Sequence, residues 1–217
     1  MVIHALLDAY PGKTYNLNKS VKIENSKGAS MMKVFEKPGR DNTDETCRIA
    51  IERAKQMGNA PIVAATTTGA AGARLCEIVK ETGFGGKVVI VTHAYGSRKP
   101  GENMLKDENR SAMVAAGATL VTAAHALSGV ERAMSSKFQG AYPTEIIAHT
   151  LRMLSQGMKV VVEIGSMALD NGAIPYSVPI VCVGGTGGGL DTAVTMNPAH
   201  ANMIFDTKIH EILCMPY

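Results

Sequence analysis

The sequence predicts an α/β fold of three layers, in which helices cover both faces of a mostly parallel sheet. Short runs of Val and Ile, at residues 61–65, 87–92 and 179–183, alternate with stretches of helical periodicity. Each run is apolar at consecutive positions, which is typical of strands buried on both faces. Aromatic residues make up only 5% of the chain, so small side chains dominate the core, and these suit helices packed closely on a sheet.

The predicted elements follow one another through residues 31–217, which we expect to form one domain. Residues 1–30 lack sustained periodicity and are interpreted as an N-terminal extension or arm, with a short strand at 20–23. The first predicted helix begins at Asn42 or Thr43, with Asp44 and Glu45 in its first turn, and ends at Gly58. Further helices are predicted at 70–82, 108–116 and 143–155. Strands are predicted at 31–35, 61–65, 87–92, 119–122, 159–164, 179–183 and 209–214, the last at an edge of the sheet.

Charge and cysteine usage exclude several classes of protein. The net charge is +3, but residues 1–40 alone hold seven Lys or Arg against three Asp or Glu. The remainder is balanced and has no basic stripe, so we expect no nucleic-acid partner. The four cysteines and six histidines lack the spacing of metal or redox motifs, which predicts buried thiols, no metal site and a cytoplasmic protein. No apolar stretch reaches the length of a membrane span, and no leader is evident.

Two glycine-containing loops repeat a pattern at a constant offset. Pro61-Ile62-Val63 precedes Thr68-Gly69, and the same five residue types recur 118 positions later, ending at Thr186-Gly187. Each loop follows a predicted strand, where ligands of parallel sheets bind. Glycines allow close approach of the backbone, and amides, threonine hydroxyls and a following helix N-terminus favour an anion. The alternative is that both loops are ordinary tight turns.

The second loop is the stronger candidate, because five of residues 184–189 are glycine and such a run costs entropy without improving packing. It matches neither the dinucleotide fingerprint nor the ATPase phosphate loop. Leu190 stands where the first requires Gly and the second requires Lys.

Several motifs resemble the C-terminal domain of pyruvate kinase. They are a threonine–glycine loop with Thr66 and Thr68-Gly69, a helix start with Ala73-Arg74, and an apolar strand that ends in Val-Thr at residue 92. F-E-K-P-G at residues 35–39 and G-G-T-G-x-G-x-D-T-A at residues 184–193, with Gly188 and Leu190 at the variable places, resemble the stand-alone archaeal and bacterial proteins of this family. The resemblance extends over residues 35–216.

The resemblance implies a Rossmann-like α/β/α domain without the catalytic barrel, so kinase activity is not inferred. In pyruvate kinase the corresponding loop holds the phosphate of a sugar-phosphate effector, and its positions map to Thr66, Thr67, Thr68 and Gly69. The stand-alone proteins can carry flavin mononucleotide (FMN), without a settled reaction. Ala71 occupies the place of a usual Ser or Thr, so one phosphate donor is missing.

The leading hypothesis is a protein that binds a phosphorylated small molecule, FMN in particular, at the rim formed by the two loops. Glu163 and Asp170 are candidates for holding hydroxyl groups, although Asp170 also suits a helix cap. Asp191 would serve either as a helix cap or as a base, and Tyr95 and Tyr176 are candidates for stacking on a flavin ring. The predicted cofactor-binding residues are Thr66, Thr67, Thr68, Gly69, His93, Glu163, Asp170, Gly184, Gly185, Thr186, Gly187, Asp191 and Thr192.

Two other functions stay open. One is a regulatory module that senses a sugar phosphate and acts through contacts within a homo-oligomer. The other is a hydrolase or isomerase of a phosphorylated metabolite, which would use His93 with a carboxylate as its acid–base pair. His93 follows a predicted strand directly, although such a histidine can also be a solvated loop residue.

Overall fold

A seven-stranded mixed sheet forms the centre of the molecule in the computed structural model, which describes residues 32–217. Among the described residues, six strands run parallel to one another, and β6 alone is antiparallel to its neighbours. The order across the sheet is β1-β7-β6-β5-β2-β3-β4. The strands are β1 (Lys33–Phe35), β2 (Ile62–Thr66), β3 (Val88–Thr92), β4 (Thr119–Thr122), β5 (Ile180–Gly184), β6 (Thr192–Asn197) and β7 (Lys208–Pro216).

Helices cover both faces of this sheet, which confirms the predicted three-layer α/β fold. Side chains of β2 alternate between two buried clusters, with Ile62 and Ala64 in one and Val63 in the other. Helices α1, α2 and α3 pack in the first cluster, and α5 and α6 pack in the second. The helices are α1 (Thr43–Gln56), α2 (Ala70–Thr82), α3 (Asp107–Ala115), α4 (Gly129–Phe138), α5 (Pro143–Arg152) and α6 (Gln156–Asp170). Short 3-10 helices span Arg40–Asn42 and Ala201–Asp206.

The predicted strand at 159–164 is wrong, because these residues lie inside helix α6. The helix crosses the middle of the sheet, so 12 of its 15 residues are buried. A helix that is buried on most of its circumference loses the apolar–polar periodicity of a surface helix, and its Val-Val-Val run then imitates a buried strand. Its start was readable, since the Oγ of Ser155 accepts the N–H of Met158 at 2.9 Å as an N-cap. The predicted helix 143–155 accordingly ends earlier, at Arg152.

The C-terminal part of the sheet also differs from the prediction. Strand β7 is not an edge strand, because it lies between β1 and β6. The predicted helix start at Asp191 and Thr192 is wrong, since the chain turns back there into the antiparallel strand β6. Helix α4 was not predicted. The predicted arm at 1–30 and its strand at 20–23 lie outside the described residues.

Candidate functional site

A cleft of about 920 Å³ opens at the carboxyl edge of the sheet. Strands β2, β3, β4 and β5 are mutually parallel, so the loops that follow them meet at one edge. Helices α4, α5 and α6 supply the remaining wall, since they connect β4 to β5. Of the predicted site residues, the cleft is lined by Thr66, Thr67, Thr68, His93, Glu163, Gly185 and Gly187.

The first loop, residues 66–69, is held in shape by its neighbours. The Oγ1 of Thr66 accepts the N–H of Gly72 at 3.3 Å, and the carbonyl of Thr68 accepts the Nδ2 of Asn109 at 2.9 Å. Gly69 adopts a φ of +94° as the N-cap of α2, and a Cβ there would lie 2.4 Å from the Cβ of Asn109. Gly69 therefore packs against Asn109 and does not line the cleft, whereas the three threonines do.

The second loop, residues 185–191, is a hairpin between antiparallel strands, so it lacks the helix N-terminus that such a loop can use. It is supported by the segment after β1. The Nε of Arg40 donates to the carbonyl of Gly187 at 3.2 Å, and the Oγ1 of Thr43 accepts the N–H of Leu190 at 3.1 Å. A Cβ on Gly189 would lie 2.4 Å from the Cα of Arg40. The same Cβ would lie 2.9 Å from the carbonyl carbon of Gly39, so the motifs at residues 35–39 and 184–193 touch each other.

Asp191 and Thr192 are fully buried and do not line the cleft. One oxygen of Asp191 accepts the N–H of Gly39 at 3.0 Å, and the other accepts the hydroxyl of Thr192 at 2.9 Å. Asp191 therefore fastens the second loop to the segment after β1, and Thr192 bonds the carboxylate of Asp191 and the hydroxyl of Ser155. Gly184 belongs to β5, and the Oγ1 of Thr186 is buried without a hydrogen-bond partner in the described part of the chain.

Asp170 and the two tyrosines also lie apart from the cleft. Asp170 ends helix α6, where its carboxylate contacts the Nδ1 of His200 at 2.6 Å and accepts the N–H of Ala201. Tyr176 stacks on the ring of His200 at 5.7 Å, and Tyr95 is 62% exposed. Neither tyrosine lines the cleft.

Four arginines line the cleft without an ion-pair partner among residues 32–217. The paired arginines all lie on α1 and α2, where Arg48, Arg53 and Arg74 contact carboxylates at 2.6–2.8 Å. Unlike these paired arginines, the cleft arginines contribute positive charge to a concave part of the surface, where an anion would be enclosed. The four cleft arginines are Arg40, Arg98, Arg132 and Arg152.

A buried ion pair on α6 borders the same cleft. Lys159 and Glu163 are one helical turn apart and are 6% and 5% exposed, and the ammonium contacts one carboxylate oxygen. The other oxygen accepts the N–H of Leu127 at 3.0 Å. Burial lowers the pKa of Lys159, although Glu163 opposes this effect.

Two histidines complete this part of the cleft. The rings of His93 and His125 are 4.9 Å apart and tilted by 54°. Burial is the main cause that lowers the pKa of both below the ordinary 6.5, and the charge of Glu163 opposes it. Both imidazoles are therefore predominantly neutral at neutral pH.

The basic residues of the cleft and His125 are not among the site residues predicted from the sequence. His125 comes three residues after β4, so the rule that ligands bind after parallel strands would have included it. Nothing in the local sequence distinguishes the cleft arginines from surface arginines, because the helices that carry Arg132 and Arg152 reach the cleft only through the tertiary fold.

Within residues 32–217, no helix is both long and apolar enough to cross a lipid bilayer. No group of three or more His, Cys, Asp or Glu side chains in that range is arranged to hold a metal ion.

Comparison with known families agrees with the topology and the loops. The model of the family described as "Pyruvate kinase, alpha/beta domain" matches residues 44–197. That match begins in α1 and ends with β6, so it includes both threonine–glycine loops and every helix of the cleft wall. The chain therefore belongs to the pyruvate kinase alpha/beta domain family.

Proposed function

We propose that the cleft binds a phosphorylated small molecule, with FMN as the specific ligand. The observation that carries the proposal is the set of four arginines that line the cleft without a carboxylate partner in the described residues. Guanidinium groups bind phosphate through paired, charge-assisted hydrogen bonds. An anion in the cleft would supply the charge compensation that the described residues leave out.

The charges of the other cleft residues do not remove this excess. Glu163 is already paired with Lys159, and Glu145 accepts the hydroxyl of Ser135 at 2.6 Å. Glu145 keeps its negative charge, since a hydroxyl does not neutralise it, so four arginines against this one remaining carboxylate leave the cleft positively charged. A charge-assisted contact to a phosphate contributes about 1.5–3 kcal/mol, so a few such contacts support specific binding.

Both loops offer unused backbone donors along the cleft. Within residues 32–217, the N–H groups of the cleft residues Thr68, Gly187 and Gly188 donate to no protein acceptor. Gly187 and Gly188 adopt positive φ values of 61° and 86°, which turn the backbone as in loops that bind anions. These features support a phosphate at the wall formed by the second loop and Arg40.

FMN fits the cleft in charge and size. The phosphate would lie among the arginines and loop amides, and the cleft volume of about 920 Å³ is within the range of ligand pockets. Apolar side chains, among them Met104, Ile164 and Met167, offer a surface for the ring system. A bound flavin would supply electron or hydride transfer.

A phosphorylated sugar is the second candidate ligand, and one feature of the cleft lining speaks for it. No Phe or Tyr of the described residues lines the cleft, and the chain has no Trp, so a flavin ring would lack an aromatic partner. Hydroxyl groups of a sugar would instead meet threonines, histidines and the Lys159–Glu163 pair. This occupant would fit a sensor of sugar phosphates that acts through homo-oligomer contacts.

Visible absorption of the purified protein and ligand-induced thermal shifts test the proposal. We expect FMN to raise the melting temperature and riboflavin, which lacks the phosphate, to have little effect. Arg132→Gln should weaken FMN binding by roughly 10- to 100-fold, the equivalent of one lost charge-assisted contact. Arg110→Gln is the matched control, because Arg110 is also unpaired within the described residues but lies on α3 outside the cleft.

The outcomes separate the two ligands. If the protein is colourless and its melting temperature rises with ribose 5-phosphate but not with FMN, the sugar phosphate replaces FMN as the proposed ligand. A protein that responds to neither compound, nor to inorganic phosphate, would contradict the proposed function. Equal loss of binding in the Arg132 and Arg110 variants would contradict the assignment to this cleft.

A further inference from the structure

The Lys159–Glu163 ion pair is buried, on a helix that packs against the sheet. Packing does not require charges there, because well-packed apolar residues often replace a buried ion pair without loss of stability. Both side chains also border the cleft. The pair is therefore better explained by what it does in the cleft than by its contribution to the core.

Glu163 is held by both of its oxygens. One contacts the ammonium of Lys159, and the other accepts the N–H of Leu127 at 3.0 Å. Leu127 belongs to the loop between β4 and α4, which also carries His125. Glu163 thus fixes the position of Lys159 and fastens the His125 loop to helix α6.

The two histidines are placed by adjacent strands. The Oγ1 atoms of Thr92 and Thr122, at the ends of β3 and β4, are hydrogen-bonded at 2.7 Å. The Nδ2 of Asn103 donates to the carbonyl of His93 at 2.9 Å. Across residues 32–217, neither imidazole forms a hydrogen bond through its ring nitrogens, although both rings line the cleft. The nitrogens are therefore available to a ligand.

A pair of neutral imidazoles offers both a proton acceptor and a proton donor. Beside them, the ammonium of Lys159 can donate a hydrogen bond to an oxygen that becomes negative. The charged groups that act on the histidines are Glu163, Lys159, Arg98 and Arg132. Such an arrangement suits a reaction that only moves protons within a bound substrate.

We propose that the cleft isomerises a phosphorylated hydroxy-carbonyl compound, an aldose or ketose phosphate, with His93 and His125 as the proton-transfer pair and Lys159 as the stabiliser of the intermediate. The inference rests on the proposed binding of a phosphorylated ligand in the same cleft, since the arginines hold the phosphate.

The step balances without a co-reactant. One imidazole removes the proton from the hydroxyl-bearing carbon next to the carbonyl, and the electron pair of that C–H bond forms the C=C bond of an enediol. The carbonyl oxygen takes up a proton from the other imidazole. In the second half, the hydroxyl group on the carbon that lost its hydrogen gives its proton to the second imidazole. The first imidazole returns a proton to the former carbonyl carbon, so the carbonyl group moves by one position.

Exchange of carbon-bound hydrogen with solvent tests this chemistry. The full chain is incubated with ribose 5-phosphate, and separately with glucose 6-phosphate, in deuterated water, and NMR follows deuterium at the carbon beside the carbonyl. We expect incorporation together with the isomeric product. His93→Gln and His125→Gln should each slow exchange by roughly 100-fold or more, while the affinity for the sugar phosphate, measured by calorimetry, changes little.

His210→Gln is the matched control, because His210 is exposed on β7 and contacts Asn197 rather than the cleft. It should exchange at the rate of the unmodified protein. Glu163→Gln should lower kcat more than it raises KM, since Glu163 positions Lys159 instead of holding the phosphate.

The results distinguish failure of this inference from failure of the proposed function. Binding of a sugar phosphate that depends on Arg132 but gives no exchange would overturn the isomerase and leave the binding function intact. Undiminished exchange in both histidine variants would also overturn it. If no phosphorylated probe binds, the result contradicts both the proposed function and the isomerase inference.

Discussion

Replacement of Gly187 by valine separates ligand binding from stability. Gly187 has a φ of +61°, and an added Cβ would meet nothing within 4 Å, so the change introduces backbone strain without a clash. Holding an L-residue in the left-handed region costs roughly 1–2 kcal/mol, with a β-branched residue at the upper end. A domain of this size loses about 2–4 °C in melting temperature per kcal/mol, so we expect a decrease of about 4–8 °C for Gly187→Val.

Gly83 provides a closely matched control. It has a φ of +62° and equally open surroundings, but it follows α2 and does not line the cleft. Gly83→Val should therefore lower the melting temperature by a similar amount and leave ligand binding unchanged. Gly187→Val should weaken FMN or ribose 5-phosphate binding at least roughly tenfold, by displacing the phosphate from the loop. Calorimetric titration measures the ligand affinity of both variants. Equal affinities of the Gly187→Val and Gly83→Val proteins would show that the second loop is only a turn.

Three further expectations concern pH, thiol reactivity and the contact between the two motifs. Burial lowers the pKa of His93 and His125, so between the folded-state pKa values and the ordinary 6.5 the unfolded chain binds more protons than the folded chain. The free energy of unfolding should thus fall with decreasing pH until the folded-state pKa values are reached, and His93→Gln should reduce this slope in urea titrations; an unchanged slope would contradict the assignment. Burial raises the pKa of all four thiols, so a thiol reagent should react at least about tenfold faster in denaturant than with the folded protein. Gly189→Ala should destabilise the fold more than Gly187→Ala, since only the Cβ at Gly189 collides with the backbone of Arg40, and equal melting temperatures would refute this.

The fold was largely predictable because a parallel sheet buried on both faces has a simple sequence pattern. The Val and Ile runs of β2 and β3 are short and are bounded by glycines or polar residues, which excludes a buried helix. The same reasoning failed at α6, where Val160-Val161-Val162 is apolar because the helix is covered by the sheet. Length would have corrected the error, since the buried segment continues to Leu169, beyond a usual strand.

The candidate site was predictable where it follows strand ends. Thr66, Thr67 and Thr68 line the cleft because β2 lies in the centre of the sheet and its loop must face the carboxyl edge. Whether a polar residue next to such a loop faces a ligand or the interior depends on packing alone. Asp191 illustrates this, because its carboxylate turns inward to the N–H of Gly39.

The basic wall of the cleft was beyond the reach of sequence patterns. Arg132 and Arg152 lie on α4 and α5, two helices whose placement against the sheet follows from tertiary packing. Arg40 reaches the second loop only because β1 pairs with β7 and brings its end beside β6. These charges become neighbours through chain segments that are remote in sequence.

The contact between Arg40 and Gly187 joins residues 147 positions apart. Contacts of such long sequence separation form slowly, because a large loop must close before they can be made. Competence to hold a phosphate would accordingly arise at a late stage of folding, once the first strand has docked beside the last. Phosphate retention would then serve as a reporter of complete assembly, distinguishing the finished domain from any intermediate that already contains its secondary structure.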